Sequence, residues 1–290
     1  MVRLGAHLSA AGGAWRAVES ARSCGCEALQ IFQRAPGRWA AAALADDDVL
    51  RFRGAAASHG LDGRCFAHAP YLLNLASDDR GLRGRSVSVL VDELRRAGRL
   101  GLVGVVLHPG SGGEGDRAEA EVRCRAAVTE AVARAGDGAA TLVLEGQAGS
   151  GGQLGRTPTE LARLVEPELR STRPGEGRPR VGVCLDSAHL WGAGYDLLGD
   201  GWERVLGELA EHWQLAAPQL FHGNDTAVEL GSRRDRHAPP GDGKLGRTFF
   251  SRLLHDERCA EMPLVLEIPP GDDNVLVKKS LARLRRWARG

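Results

Sequence analysis

The sequence has no apolar run near the ~18 residues a bilayer crossing needs. Its opening residues, MVRLGAHLSAAGGAW, lack the continuous apolar core of a secretion signal. A membrane partner is therefore not expected, and the expected location is the cytoplasm. Charge of one sign is also missing: 38 Lys and Arg face 37 Asp and Glu, leaving +1. If nucleic acid is the partner, attraction must come from locally placed arginines, not from a basic whole. There is no Cys-x-x-Cys. The six cysteines (Cys24, Cys26, Cys65, Cys124, Cys184, Cys259) are scattered, which excludes a disulfide framework or a zinc-finger spacing and suits buried small hydrophobes. Finally, no Gly-x-Gly-x-x-Gly follows the first strand candidate, which counts against a dinucleotide-binding sheet.

What is present is a repeated unit of strand, loop and helix, in a chain whose 43% hydrophobic content supports a sizeable core. Apolar runs predict strands over Arg3–Leu8, Ala28–Phe32, Cys65–His68, Val103–Leu107, Thr141–Leu144, Val181–Leu185, Gln219–Phe221 and Leu264–Leu266. Helical spacing predicts helices over Ala14–Cys24, Asp46–Ser58, Arg83–Leu100, Ala118–Ala135, Thr157–Leu169, Trp202–Trp213, a segment including Phe249–His255, and Val275–Ala288. Eight such units without a large interruption point to an α/β fold, a closed (β/α)8 TIM barrel forming a single domain over residues 1–290. An open doubly wound sheet is the alternative. Ser171–Arg180 reads as a surface loop. The Lys278, Lys279, Arg283, Arg285, Arg286 and Arg289 cluster reads as a solvated helix face, because barrel sites use the other end of each unit.

The residues that end the strands carry the chemistry. His68, His108, Glu145, Asp186, His222 and Glu267 close strands three to eight, and His189, Asp235 and His237 lie just beyond. For the stretch Val181–Asp196 alone, two readings stand: Asp186 caps a helix with His189 packed nearby, or the two are metal ligands. With nine imidazoles and carboxylates at one barrel mouth, the carboxylates repel one another unless cations sit among them. A nitrogen and oxygen set without thiolate suits Zn²⁺, with Mn²⁺, Fe²⁺ and Co²⁺ as alternatives. Nine ligands exceed the needs of one ion, and clustered ions ~3.5–4 Å apart serve phosphoryl chemistry.

Longer motifs extend this. HLSAAGG (7–13), HAPYLLNLAS (68–77), LHPGS (107–111), the Glu145 strand end, GVCLDSAHLWGAGYD (182–196), HGND (222–225), GSRRDRHAPPGDGKLG (231–246) and PLVLE (263–267) run in order along nearly the whole chain. Together they resemble endonuclease IV, the second family of apurinic/apyrimidinic endonucleases. The resemblance implies a barrel with three zinc ions that cleaves double-stranded DNA on the 5′ side of an abasic site. It implies His68, His108 and Glu145 as ligands of the first ion. Glu145 would bridge to the second, completed by Asp186, His222 and Glu267, and His189, Asp235 and His237 would hold the third. Zinc-activated hydroxide would attack phosphorus, with Glu145 and Glu267 as the residues to orient or deprotonate the water, leaving a 3′-hydroxyl and a 5′-deoxyribose phosphate. The resemblance further implies a monomeric, nucleoid-associated repair enzyme.

The chain departs from the family pattern where DNA is gripped. The usual Asn-Pro-Arg-x-Trp-like loop after strand two reads RAPGRW, with Ala35 for the Asn and the arginine shifted to Arg38 behind Gly37. Gly146 stands where the family tends to have Asn, and Ala238 where a second His often follows. Tyr71 and Leu72, which resemble residues wedged into the duplex beside the lesion, are kept, and Arg233, Arg234 and Arg236 are available for phosphates. Two other classes stay open: a metal-dependent sugar isomerase or epimerase of the same barrels, and a non-catalytic lesion-binding protein.

Overall fold

In the computed structural model of the chain, which describes residues 1–170, 180–269 and 271–290, eight parallel strands close on themselves. Seven come in chain order: β1 (Arg3–His7), β2 (Ala28–Phe32), β3 (Cys65–His68), β4 (Gly104–Leu107), β5 (Thr141–Glu145), β6 (Val181–Asp186) and β7 (Leu220–His222). A short antiparallel pair, β8 (Asp225–Thr226) with β9 (His237–Ala238), precedes the eighth barrel strand, β10 (Pro263–Leu266). Pairing of Arg3–Ala6 with Pro263–Leu266 shuts the ring and rules out the open sheet. No helix among the described residues is long and apolar enough to cross a membrane.

The helices are α1 (Ala14–Cys24), α2 (Asp46–Ser58), α3 (Arg80–Leu100), α4 (Arg117–Ala135), α5 (Pro158–Arg163), α6 (Pro167–Arg170), α7 (Ser187–Ala193), α8 (Gly201–Trp213), α9 (Gly246–His255) and α10 (Val275–Trp287). The single helix expected over Thr157–Leu169 is two. Thr157 caps the first through its hydroxyl. Pro167, which has no N–H and disfavours helical backbone at Glu166, starts the second. The predicted loop at Ser171–Arg180 lies, save Arg180, outside the described residues.

Two apolar layers follow from strand alternation. One side of each strand packs against the helices. The other fills the barrel lumen with Ala28, Phe66, Val106, Val143, Cys184, Leu220 and Val265. All six cysteines are free and buried, as their scatter suggested. Burial pushes the Cys184 thiol up to about 12, so no thiolate forms beneath the mouth.

Candidate metal centre

Two residues beyond each lumen residue, alternation returns the chain to the inner face about 6.6 Å higher. That step takes Phe66 to His68, Val106 to His108, Val143 to Glu145, Cys184 to Asp186, Leu220 to His222 and Val265 to Glu267. It also takes Ala28 to Gln30, and Gly5 to His7. Every barrel strand thus contributes one polar side chain to a single ring above the apolar plug. Gly5 is required beneath His7, because a Cβ there would lie 2.0 Å from the Ala28 carbonyl oxygen.

Glu145 stands at the centre, fully buried. Its Oε2 lies 3.2 Å from His68 Nε2 and 3.0 Å from His108 Nε2. Its Oε1 lies 3.1 Å from His222 Nδ1 and 3.3 Å from His189 Nδ1. Glu267 Oε2 is also 3.1 Å from His222 Nδ1. Three groups have ligand atoms close enough to share an ion: His68, His108 and Glu145; Glu145, Asp186, His222 and Glu267; and Asp186, His189 and His237. Asp235 closes the third group from the rim, half-exposed, with one oxygen 3.2 Å from His189 Nε2 and the other 3.0 Å from His237 Nε2.

Asp186 caps a helix, as one reading of its stretch has it, and turns its other oxygen toward the candidate centre. Its Oδ1 accepts from the backbone N–H groups of Ala188 and His189 at 2.6 and 3.0 Å, capping α7, the helix that this reading supposed. Its Oδ2 accepts from Asn224 Nδ2 at 2.6 Å and faces His237 Nε2 at 3.5 Å. The cap orients the carboxylate, and the helix it starts delivers His189. The β8–β9 pair delivers His237, opposite Thr226. Between them, the loop carrying Asp235 docks on α7 through Arg233 N–H to Gly192 O at 2.9 Å. A side chain at position 192 would crowd that contact, with Arg234 O 3.0 Å from its Cβ.

The donor set fits cations. His68 donates from Nδ1 to Ala69 O at 2.6 Å, His189 from Nδ1 to Gly146 O at 2.8 Å, and His237 from Nδ1 to Glu267 O at 3.2 Å. Each leaves its Nε2 lone pair facing carboxylate oxygen, the arrangement in which a second-sphere carbonyl orients a metal-binding imidazole. His237 Nε2 is buried and, though 3.0 Å from Asp235 Oδ1, makes no well-directed hydrogen bond among the described residues. Protons occupy this role when metal does not. Burial opposes a charged imidazole, yet Asp186 and Asp235 hold His189, and Glu267 and Glu145 hold His222, well above the usual value. Burial likewise opposes charged carboxylates, but His108 and His222 keep Glu145, and His222 keeps Glu267, well below theirs.

The model of the xylose isomerase-like TIM barrel family matches residues 18–287. Over 290 residues, covering 100% of both chains, the sequence is 39% identical to a protein of Nitratidesulfovibrio vulgaris (strain Hildenborough) named "Probable endonuclease 4". The crystal structure of endonuclease IV from Thermus thermophilus superposes with a TM-score of 0.84 at 33% identity, covering 99% of each chain.

The chain belongs to the endonuclease IV family.

A D-tagatose 3-epimerase-like protein superposes with a TM-score of 0.72 at 18% identity, a likeness of fold alone. Around the centre of this endonuclease IV family member, Tyr71 is exposed. Its ring lies over that of His108, 6.1 Å between centroids at 25°, and edge-on to His68 at 5.3 Å. Leu72 beside it is half-buried, while Arg38, Arg233, Arg234 and Arg236 are exposed. A cavity of about 590 Å³ opens between the loops after β1 and β2, walled by His7, Phe32, Tyr71 and Glu267. Gln30 and His7 belong to the ring but are not among the candidate ligands; His7 opens the HLSAAGG motif, and Gln30 carries none. The available signal was their position, two residues past Ala28 and Gly5.

Proposed function

We propose that the protein hydrolyses the phosphodiester on the 5′ side of abasic sites in double-stranded DNA, leaving a 3′-hydroxyl and a 5′-deoxyribose phosphate. Its family makes it a DNA-repair endonuclease. The finer reading is carried by one observation: three ligand groups share carboxylates, Glu145 between the first and second and Asp186 between the second and third. His68, His108 and Glu145 would hold one ion, Glu145, Asp186, His222 and Glu267 a second, and His189, Asp235 and His237, with Asp186, a third. The nitrogen and oxygen donors favour zinc, with manganese, iron or cobalt acceptable at some positions. Divalent ions held there supply water activation and charge stabilisation of the departing O3′.

The remaining work falls to the protein. Glu145 meets four imidazoles and is fully buried, which suits holding ions in register. Glu267, slightly exposed at the cavity wall, suits orienting the attacking water or accepting its proton. Tyr71 and Leu72 would fill the gap left by an unstacked nucleotide, and Arg38, Arg233, Arg234 and Arg236 would neutralise backbone phosphates. A monomer acting in the cytoplasm at the nucleoid completes this reading. The test is incision of a duplex carrying a tetrahydrofuran abasic analogue, abolished by prolonged chelation and restored by zinc. Zinc-loaded protein that leaves this duplex intact overturns the proposal.

A further inference from the structure

We infer that Gln30 is a positioning residue of this centre: one buried amide selects which nitrogen of His222 is free for a metal and which way Glu267 faces. The inference rests on the metal-centre reading above.

Gln30 is fully buried on β2, paired with His7 and Phe66 of the neighbouring strands. Its Nε2 donates to Glu267 Oε1 at 2.6 Å and also faces His7 Nδ1 at 3.0 Å. Its Oε1 lies 3.0 Å from His222 Nε2. The amide has only one sensible orientation, since turning it over sets its oxygen against the Glu267 carboxylate at hydrogen-bond distance. The amide oxygen can only accept, so the proton of His222 is held on Nε2. That makes His222 Nδ1, 3.1 Å from both Glu145 Oε1 and Glu267 Oε2 at the second ligand group, the nitrogen a metal could take in place of a proton. One carboxamide hydrogen goes to Glu267 Oε1, the same oxygen that His7 Nδ1 faces at 3.3 Å.

Other side chains at this inward position do less. An apolar one leaves His222 Nε2 and Glu267 Oε1 buried without this partner, and a glutamate sets a further negative charge against Glu267. A neutral group with a donor and an acceptor on one rigid plane serves both neighbours. The partners sit 192 and 237 residues away, so the role is invisible along the chain.

The experiment compares the full-length protein with Gln30→Met, close in volume and without hydrogen bonds. Metal per chain is read by mass spectrometry after dialysis against a graded chelator series, and imidazole protonation by ¹⁵N NMR of zinc-loaded protein. Losing such an outer partner typically weakens metal affinity about 10–100-fold. Gln30→Met is therefore expected to release its first ion at a free-metal level at least about tenfold higher than wild type, with kcat falling more than KM rises. Wild-type His222 is expected to show one tautomer, protonated at Nε2, and the variant a mixture. Equal metal retention in both proteins overturns the role of Gln30 while leaving the centre intact. Wild type that takes up no metal overturns the centre and this inference together. Should the variant fail to fold, the wild-type spectrum still decides: a proton on His222 Nδ1 refutes the assignment.

Discussion

The guanidinium of Arg34 is buried against the carboxylate of Glu93, pinning the loop after β2 to the flank of α3. Its other nitrogens reach Trp39 O at 2.5 Å and Asp92 Oδ2 at 2.6 Å, and Gln33 Nε2 donates to Glu93 Oε2 at 2.6 Å. The first arginine of RAPGRW is thereby withdrawn from any partner, and only Arg38 is presented. The wall that this loop forms beside Glu267 is set by an ion pair on the outside of the barrel. Removing one member of a buried pair strands the other, at a cost of about 3–5 kcal/mol. Glu93→Ala should fall near the lower end, because Asp92 remains. Urea denaturation checks the stability, and KM for abasic duplex should rise several-fold through loosening of residues 33–39. An unchanged denaturation midpoint would contradict this account.

Asp225 predicts a second structural dependence. Its buried carboxylate accepts from the backbone N–H groups of Thr226, Gly241, Gly243, Leu245 and Gly246, at 2.8 to 3.1 Å. This cradle anchors the turn that follows His237. Asp225→Ala leaves several buried donors unpaired, each costing about 1–3 kcal/mol when no water replaces the partner. Hydrogen exchange at Gly241, Gly243 and Leu245 should accelerate together, and of the ions proposed here the one assigned to His189 and His237 should be lost first on chelation. Local exchange unchanged from wild type would argue against the cradle.

Acid should displace metal in a defined window. Burial disfavours a charged His237, but Asp186 and Asp235 override it and raise the imidazole from 6.5 to about 9 in the metal-free chain. A raised value means this proton stabilises the metal-free fold fully below about pH 6.5. The contribution disappears as pH climbs through about 9. Metal must evict that proton, so apparent affinity at the third group should strengthen across the same interval. Loading at pH 7 should release protons. Calorimetric titration in two buffers of different ionisation enthalpy measures the release, and a buffer-independent heat would refute it.

The two glutamates should separate by phenotype. Glu145→Gln removes the charge shared between two ligand groups and is expected to lose more than one ion per chain. Glu267→Gln, at the exposed edge of the ring, should keep most of its metal while kcat drops about 10²–10⁴-fold, the range of a lost general base. Metal analysis with single-turnover incision distinguishes them. Equal metal loss in both variants would remove the distinction.

Gly37 lies where a side chain meets open space and needs no positive φ. Gly37→Arg, which brings the loop nearer the pattern of the family it resembles, should tighten abasic-duplex binding and steepen its salt dependence by about one phosphate contact. Binding isotherms at three salt concentrations provide the check. An unaltered slope would show that this loop does not face DNA.

Local patterning settled the strands and the ring of strand-end residues. Each strand is a short apolar run, and His68, His108, Glu145, Asp186, His222 and Glu267 stand at or just beyond the run's carboxyl end. Their common mouth follows once eight strand–helix units are counted, because the pleat points alternate residues inward. Tertiary structure decided whatever depends on residues far apart in the chain meeting in space. Only closure of β1 on β10 brings His7 to Glu267. Only the shared lumen turns Gln30, one polar residue in an apolar strand, into a partner of His222. Arg34 and Arg38 look equivalent in sequence, and Glu93, 59 residues on, makes one structural and leaves the other free. Hydrophobic period is written along the chain, whereas hydrogen bonds and ion pairs between distant segments exist only after the barrel has fixed their separation.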